Sequence, residues 1–395
     1  MDNIEQQEQE YAALIGIDWA SDKHDVRLRE VDSGKEEARQ LKHTPEALNE
    51  WVVELRGRFG GRKIAICLEQ SKGALIYALM GHEFITLYPV NPTSLANYRE
   101  VFTVSRAKDD PTDAALLMEL LLKHRNKLHA WKPGDEDTRM LTMYNEERRN
   151  QVDLRTKLEL RLQATLTNYF PQALDLLAGN MVSELACALL QKWPTLHALK
   201  RAQPKTIRAL YYAHNYRRAD LIEANIKKIG TAVPLTEDRA IVTALSLTAT
   251  VLAQQIRTIN AAIDQYDQQI ARLFRQHPDK AIFDSFPGAG SALAPRLLSA
   301  FGTDRDRYSQ AKDIQTFSGI APGTQRETSV NPLAMELPQV HPANLSGVRQ
   351  LFLQVLALGK SLLRTPARTR QRASSRSPIT GLQVAENHLP VLEGS

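Results

Sequence analysis

Short apolar runs separated by polar or Gly/Pro breaks dominate the first part of the chain, and several of them close on an acid. Ala13-Leu14-Ile15-Gly16-Ile17-Asp18-Trp19-Ala20 is rich in β-formers and predicts a buried strand with Asp18 near its end. Asp22-Lys23-His24-Asp25-Val26-Arg27-Leu28 alternates polar and apolar positions, as a second, antiparallel strand would. Lys63-Ile64-Ala65-Ile66-Cys67-Leu68-Glu69 is another apolar run ending in an acid, after which Ser71-Lys72-Gly73 opens a helix through Tyr77 and Leu79. Ile85-Thr86-Leu87-Tyr88-Pro89-Val90 predicts a further short strand, stopped by Asn91-Pro92. Lys108-Asp109-Asp110-Pro111-Thr112-Asp113-Ala114 then enters a helix through Leu116, Leu117, Leu120 and Leu121. Asp110 and Asp113 are spaced so that both can project from one face of that helix start.

From about Gly134 to Gln276 the period of the pattern becomes helical. Leu154, Leu158, Leu160, Leu162 and Leu166 form one stripe, and Ile256, Ile259, Ile263, Tyr266 and Ile270 form another. Pro171, Pro194, Pro204 and Pro234 lie between them, which predicts a long helix, a cluster of short helices and a returning helix. Antiparallel helix packing accounts for such stripes, with a dimer-forming coiled coil as the alternative. Phe286-Pro287-Gly288-Ala289-Gly290-Ser291-Ala292-Leu293-Ala294 places small residues at a tight turn before an amphipathic helix. Pro-Gly is first of all a turn signal, but such a turn also exposes helix N-terminal amides to a phosphate.

Asp18, Glu69, Asp110 and Asp113 sit where strands end or a helix begins, in the order of an α/β RNase H-like fold. Clustered carboxylates without a His/Cys set favour Mg2+ over zinc, because magnesium takes hard oxygen ligands and keeps several waters. Two such ions about 4 Å apart can activate an attacking oxygen and stabilise a leaving one in phosphoryl transfer. Each acid alone also has a structural reading: a carboxylate after a strand caps a helix or faces solvent, and Asp110 before Pro111 has the form of an N-cap.

Ile15-Gly16-Ile17-Asp18, Leu68-Glu69, Val90-Asn91-Pro92 and Arg106-Ala107-Lys108-Asp109-Asp110-Pro111-Thr112-Asp113-Ala114 together resemble the DEDD transposases of the insertion sequence 110 family. Phe286-Pro287-Gly288-Ala289-Gly290 and Phe317-Ser318-Gly319-Ile320-Ala321-Pro322 resemble the two signatures of that family's C-terminal domain. The resemblance runs from about residue 12 to 324. It implies a RuvC-like domain at 1–125 whose four acids bind Mg2+, a helical or coiled-coil linker region at 126–275, and a C-terminal transposase domain from 276 that contributes a serine nucleophile. It also implies DNA of the mobile element as donor and target, assembly of several protomers, and in some members a structured guide RNA.

With 395 residues the chain can bury sizeable cores in two or three domains, and its net charge of +5 with pI near 9.0 fits a nucleic-acid partner without requiring one. Lys200, Arg201, Lys205, Arg208, Arg217, Arg218, Lys227 and Lys228, with Tyr211, Tyr212 and Tyr216 among them, read either as a nucleic-acid surface or as solvated helix faces. Cys67 and Cys187 lie in apolar surroundings without metal-ligand spacing, as reduced core residues of a cytoplasmic protein do. Met1-Asp2-Asn3-Ile4-Glu5-Gln6-Gln7 is too acidic and polar for a signal peptide, and no run reads as a membrane span.

Beyond Pro322 the resemblance stops, and the genetic code offers a reason. Family members continue with a Ser-Gly-Lys stretch, then a segment like W-x-C-P-K-F-x-R-Q-T-F, and finish near R-C-W. Met335 has the single codon AUG and Glu336 begins with G, so reading one nucleotide later forces a tryptophan. Permissible codons from there through Leu345 give W-S-C-P-K-F-I-R-Q-T. Gln325-Arg326-Glu327-Thr328 yields S-G-K, and His388 to Gly394 closes on I-F-R-C-W-K, all in one frame. A single frameshift near residues 323–325 explains the three ordered matches and makes 325–395 an out-of-frame tail, rich in Arg, Ser and Pro from Arg364 to Pro378 as disordered segments are. The serine of the Ser-Gly-Lys stretch is then lost, and Ser329 is the nearest in-frame candidate nucleophile. The sequence therefore reads as a DNA transposase or recombinase, this copy inactive if the frameshift is real. A RuvC-like junction endonuclease and a catalytically dead nucleic-acid-binding remnant are the alternatives.

Overall fold

The computed structural model describes residues 10–69, 73–102, 110–286 and 288–304, and a few positions from Asp306 to Ile314. Ser329, the Phe317–Pro322 signature and the tail lie outside the described residues, and Asp110 is described for its backbone alone.

Five strands, β1 (Ala13–Asp18), β2 (Lys23–Glu30), β3 (Glu36–Lys42), β4 (Ile64–Leu68) and β5 (Ile85–Pro89), form one sheet in the order β3-β2-β1-β4-β5. β1 pairs antiparallel with β2 and β2 with β3, whereas β4 runs parallel to β1 and β5 parallel to β4. β1 and β4 are the near-continuous apolar runs of the sequence because both of their faces are covered. β3 escapes the hydrophobic pattern: only Ala38 and Leu41 are apolar in Glu36–Lys42. Charge pairing helps to hold this edge, with Arg27 and Arg29 both on Glu36, and Arg58 bridging Glu30 and Glu37.

On one face, Ile15, Ile17, Val26, Ile64 and Ile66 pack under Trp51 and Leu55 of α1 (Pro45–Arg58) and Leu75 and Leu79 of α2 (Ala74–Leu79). Thr44 caps α1 through Ala47 N–H, with Pro45 at its first position. On the other face, Leu14, Ala65 and Cys67 meet Leu95 and Tyr98 of α3 (Pro92–Phe102) and Leu117, Met118 and Leu121 of α4 (Asp110–His124). α4 lies so close to β1 that a Cβ on Gly16 would stand 2.0 Å from the Ala114 carbonyl oxygen and 2.5 Å from the Met118 nitrogen. Helix backbone rests on strand backbone at that point, which only glycine permits.

The helical region is the expected long helix, short-helix cluster and returning helix. α5 (Glu136–Thr167) runs antiparallel to α11 (Arg239–Gln276), with α6 (Gln172–Leu176), α7 (Glu184–Lys192), α8 (Leu196–Lys200), α9 (Pro204–Ala213) and α10 (Ala219–Thr231) between them in sequence. Arg148 pairs with Asp267 and Arg155 with Asn260 across the two long helices. Leu162, Leu166, Leu252 and Ile256 are buried there, but Leu160 and Leu154 of the expected stripe are exposed. Leu160 lies about 200° around the helix from Leu158 and Leu162, and no described contact accounts for Leu154. Among the described residues α11 is long and apolar enough to cross a bilayer, where the sequence suggested no such run. Its Ala249, Leu252, Ala253 and Ile256 are buried in the helical core. The turn at Gly288 and Gly290, both left-handed with φ 78° and 53°, leads into α13 (Gly290–Phe301) as anticipated. α13 and the short α12 (Lys280–Asp284) pack Phe283, Leu297 and Leu298 against Leu141, Ile270 and Phe274.

Replacing Gly16 with Ala drives the new methyl into the backbone of α4, so Gly16→Ala is expected to cost about 3 kcal/mol or more of unfolding free energy. A urea midpoint series measures it, and a loss under about 1 kcal/mol would show that α4 does not bear on β1 as described.

Candidate functional site

The strand register aligns Ile17 with Leu68, so Asp18, the last residue of β1, and Glu69, which directly follows β4, come next along two neighbouring parallel strands. Side chains alternate along a strand, which puts Asp18 on the face of Leu14 and Gly16, the face to which Ala65 and Cys67 of β4 also belong. This is the face that α4 covers. Asp113 lies in the first turns of α4, fully buried and adjacent to Ala114, whose carbonyl abuts Gly16. Asp110 begins the same helix. Asp18 and Glu69 thus stand at the same end of the sheet, and the helix that bears Asp113 packs on that face. Among the described residues, however, no group of three His, Cys, Asp or Glu side chains is arranged to hold one metal ion.

Asp113 has its own counter-charge. Arg99 of α3 donates from Nε to Oδ1 at 2.8 Å, and its Nη2 lies 2.5 Å from the same oxygen. Oδ2 of Asp113 is buried and has no hydrogen-bond partner among the described residues. A buried carboxylate oxygen in that condition is costly, and a hard cation is one species that would satisfy it. Asp25 is a second acid that the strand pattern alone did not single out. It pairs with Asp18 across β1 and β2, so the two share a face, and it accepts a hydrogen bond from Gln40 at 3.1 Å. Like charges directly opposite one another destabilise a sheet unless something offsets them. A groove beside Asp25 is lined by Arg27, Ala38, Gln40 and Ala114. The carboxylate donors therefore fit a hard divalent ion in chemistry.

The turn that follows Asp18 is held from the opposite face. Ala20 N–H donates to His24 Nδ1 at 3.3 Å, His24 Nε2 lies 2.9 Å from His43 Nδ1, and the Trp19 ring packs beside both imidazoles. His24 is fully buried, and burial, with the nearby His43, pushes its pKa down to about 4.

The basic segment is only partly what the sequence suggested. Tyr211 is a core residue whose hydroxyl receives a hydrogen bond from Asn225, and Tyr216 packs on the same core, while Tyr212 is exposed. Arg208 is paired with Glu223, Arg218 with Asp220, and Lys200 donates to the Ala232 carbonyl. Cys67 and Cys187 are free and buried, and burial pushes the Cys187 thiol up to about 12 and that of Cys67 further still.

A sheet with one acid at the end of a strand and another directly after the adjacent parallel strand, covered by a helix bearing a further acid, occurs here in a sequence that is similar to transposases. The DEDD model for transposases of insertion sequence 110 matches residues 15–171, which span the sheet, α4 and α5. A protein of Streptomyces coelicolor assigned as the mini-circle transposase for IS117 is 27% identical over 328 residues, covering 80% of this chain and 78% of the relative. The y4uE protein of Sinorhizobium fredii, also assigned as a transposase, is 28% identical over 208 residues, covering 52% of this chain and 57% of that protein. These similarities support an insertion sequence 110 family transposase, a family of DNA-processing enzymes.

Removing the guanidinium with Arg99→Met strands the Asp113 carboxylate, and a loss of about 3–5 kcal/mol is expected. Wild-type stability in that variant would show that another group meets the charge. His24 gives a pH signature. The unfolded chain accepts a proton near pH 6.5 that the folded chain refuses until about pH 4. Stability is therefore intact above pH 6.5 and declines as the pH falls towards 4, by on the order of 2 kcal/mol. Comparing wild type with His24→Gln by urea titration at both pH values isolates this contribution, and parallel pH dependences would refute it.

Proposed function

We propose that the chain is built as an insertion-sequence transposase or recombinase, in which Asp18, Glu69, Asp110 and Asp113 hold Mg2+ at a DNA phosphodiester. The observation that carries this reading is that Asp18 ends β1 and Glu69 directly follows the adjacent parallel β4, on a sheet covered by the helix that bears Asp113. The strand order β3-β2-β1-β4-β5, with three antiparallel strands followed by two parallel to β1, supports an RNase H-like (RuvC-like) domain. Magnesium, when bound, would polarise the phosphoryl group and stabilise charge developing on the attacking and leaving oxygens. The residues of the chain supply the rest. Arg99 fixes the Asp113 carboxylate by one oxygen and leaves the other available. The close contact at Gly16 holds the first turns of α4 against β1. Burial under α3 and α4 strengthens each of these interactions.

A serine hydroxyl in the C-terminal part is the proposed nucleophile of intact relatives, forming a covalent bond to DNA phosphate while the leaving deoxyribose oxygen takes up a proton. In this chain we read the segment after about residue 324 as the product of a frameshift, which leaves Ser329 as the candidate replacement. The reading further includes a helical linker region at 126–275, several protomers, a cytoplasmic setting and, in guided members, a structured RNA.

The Arg99–Asp113 ion pair favours a second reading. In it the acid face keeps its fold but binds no metal, and the chain is a nucleic-acid-binding remnant. Retained, salt-sensitive DNA binding without strand exchange would support it.

Asp18→Asn and Glu69→Gln, introduced at the matching positions of an intact relative, are expected to abolish Mg2+-dependent strand exchange with little change in stability. Normal exchange by either variant would sink the assigned role. If this chain itself exchanges strands, Ser329→Ala is expected to end that activity, and survival of activity would remove Ser329 from consideration.

A further inference from the structure

The turn between β1 and β2 carries Asp18 into the acid face, yet its restraint comes from a polar pair on the far side of the sheet. His24 alternates with Asp25 along β2, so it faces the α1 side, where it is fully buried beside Leu41 and Val26. A buried polar ring must have its nitrogens satisfied. Nδ1 accepts from Ala20 N–H, so it carries no proton, and the hydrogen of the neutral ring must sit on Nε2. Nε2 then donates to His43 Nδ1 at 2.9 Å. His43 lies immediately before the α1 cap Thr44, so the chain of contacts runs from Ala20 through two imidazoles to the base of α1. Trp19, 38% exposed, closes over it, with ring centroids 6.5 Å from His24 and 6.4 Å from His43.

We infer that His24, as the neutral Nε2–H tautomer linked to His43, is a positioning residue that fixes the turn following Asp18 and thereby the direction of that carboxylate. It touches neither metal nor substrate. Its effect on Asp18 rests on the metal-site reading above, whereas its hold on the turn does not. The low pKa of His24 is consistent with a ring kept neutral by burial and by His43.

Variants of the full chain separate the two ring nitrogens. The carboxamide oxygen of Asn reaches the place of Nδ1 and can still accept from Ala20 N–H. That of Gln reaches towards Nε2 and cannot. Hydrogen exchange measured by mass spectrometry should therefore accelerate about tenfold for the peptide over residues 19–23 in His24→Gln, and stay within about twofold of wild type in His24→Asn. Water-proton relaxation with Mn2+ as the probe should show the same order, with affinity about tenfold weaker in His24→Gln and near wild type in His24→Asn. Equal exchange in all three proteins overturns the hold on the turn, and equal Mn2+ affinity overturns its bearing on Asp18. Should the variants fail to fold, nitrogen-15 NMR of the wild-type imidazoles decides. The Nε2–H tautomer for His24 supports the assignment, and an Nδ1–H or protonated ring at neutral pH refutes it. Absence of Mn2+ binding by the wild type would count against the four-acid site instead, leaving the exchange and NMR results to decide on His24.

Discussion

Everything at the acid end of the sheet depends on how closely α4 lies on β1. The Ala114 carbonyl and the Met118 nitrogen occupy the space that a side chain at position 16 would need. A larger residue there would lift the helix, and Asp113 with it, away from β1, which ends in Asp18, and β4, which Glu69 follows. One glycine thus couples packing to chemistry. The fully buried strands on either side of it, β1 and β4, supply the rigid platform against which the helix start is held.

The same closeness creates an electrostatic problem. Asp18 and Asp25 stand opposite each other across β1 and β2, and Asp113 is shut away from water. Gln40 and Arg99 relieve part of this: one donates to Asp25, and the other binds one oxygen of Asp113. The remaining buried Oδ2 of Asp113 marks the place where the account needs a cation. The turn after Asp18 is braced from behind by His24 and His43, so the acid face is shaped by groups on both sides of the sheet.

Much of this was legible in the sequence, for a physical reason. A strand buried on both faces must be apolar almost throughout, so a carboxylate at its end stands out, and Asp18 and Glu69 did. Asp113 was legible as a polar residue at the start of a strongly apolar helix. β3 was not, because an edge strand exposed on one side carries only Ala38 and Leu41 and relies on ion pairs with Arg29 of β2 and Arg58 of α1. Arg99, Asp25 and the His24–His43 pair were invisible for a related reason: each acquires its meaning from a tertiary neighbour. Tyr211 shows the opposite error, since an aromatic among basic residues suggested a stacking surface, yet the fold uses it as core. Leu160 counted as part of a stripe by composition, but its angular position on α5 turns it outward.

The central claim is that the Gly16 contact assembles a cation site from Asp18, Glu69 and the start of α4. Crystals of the full chain soaked in Mn2+ and measured at the manganese absorption edge test it most directly. The account predicts an anomalous peak coordinated by the carboxylates of Asp18 and Glu69, on the side towards Asp113. An ordered acid face with no peak there, and Asp113 engaged by Arg99 through both oxygens, would contradict it.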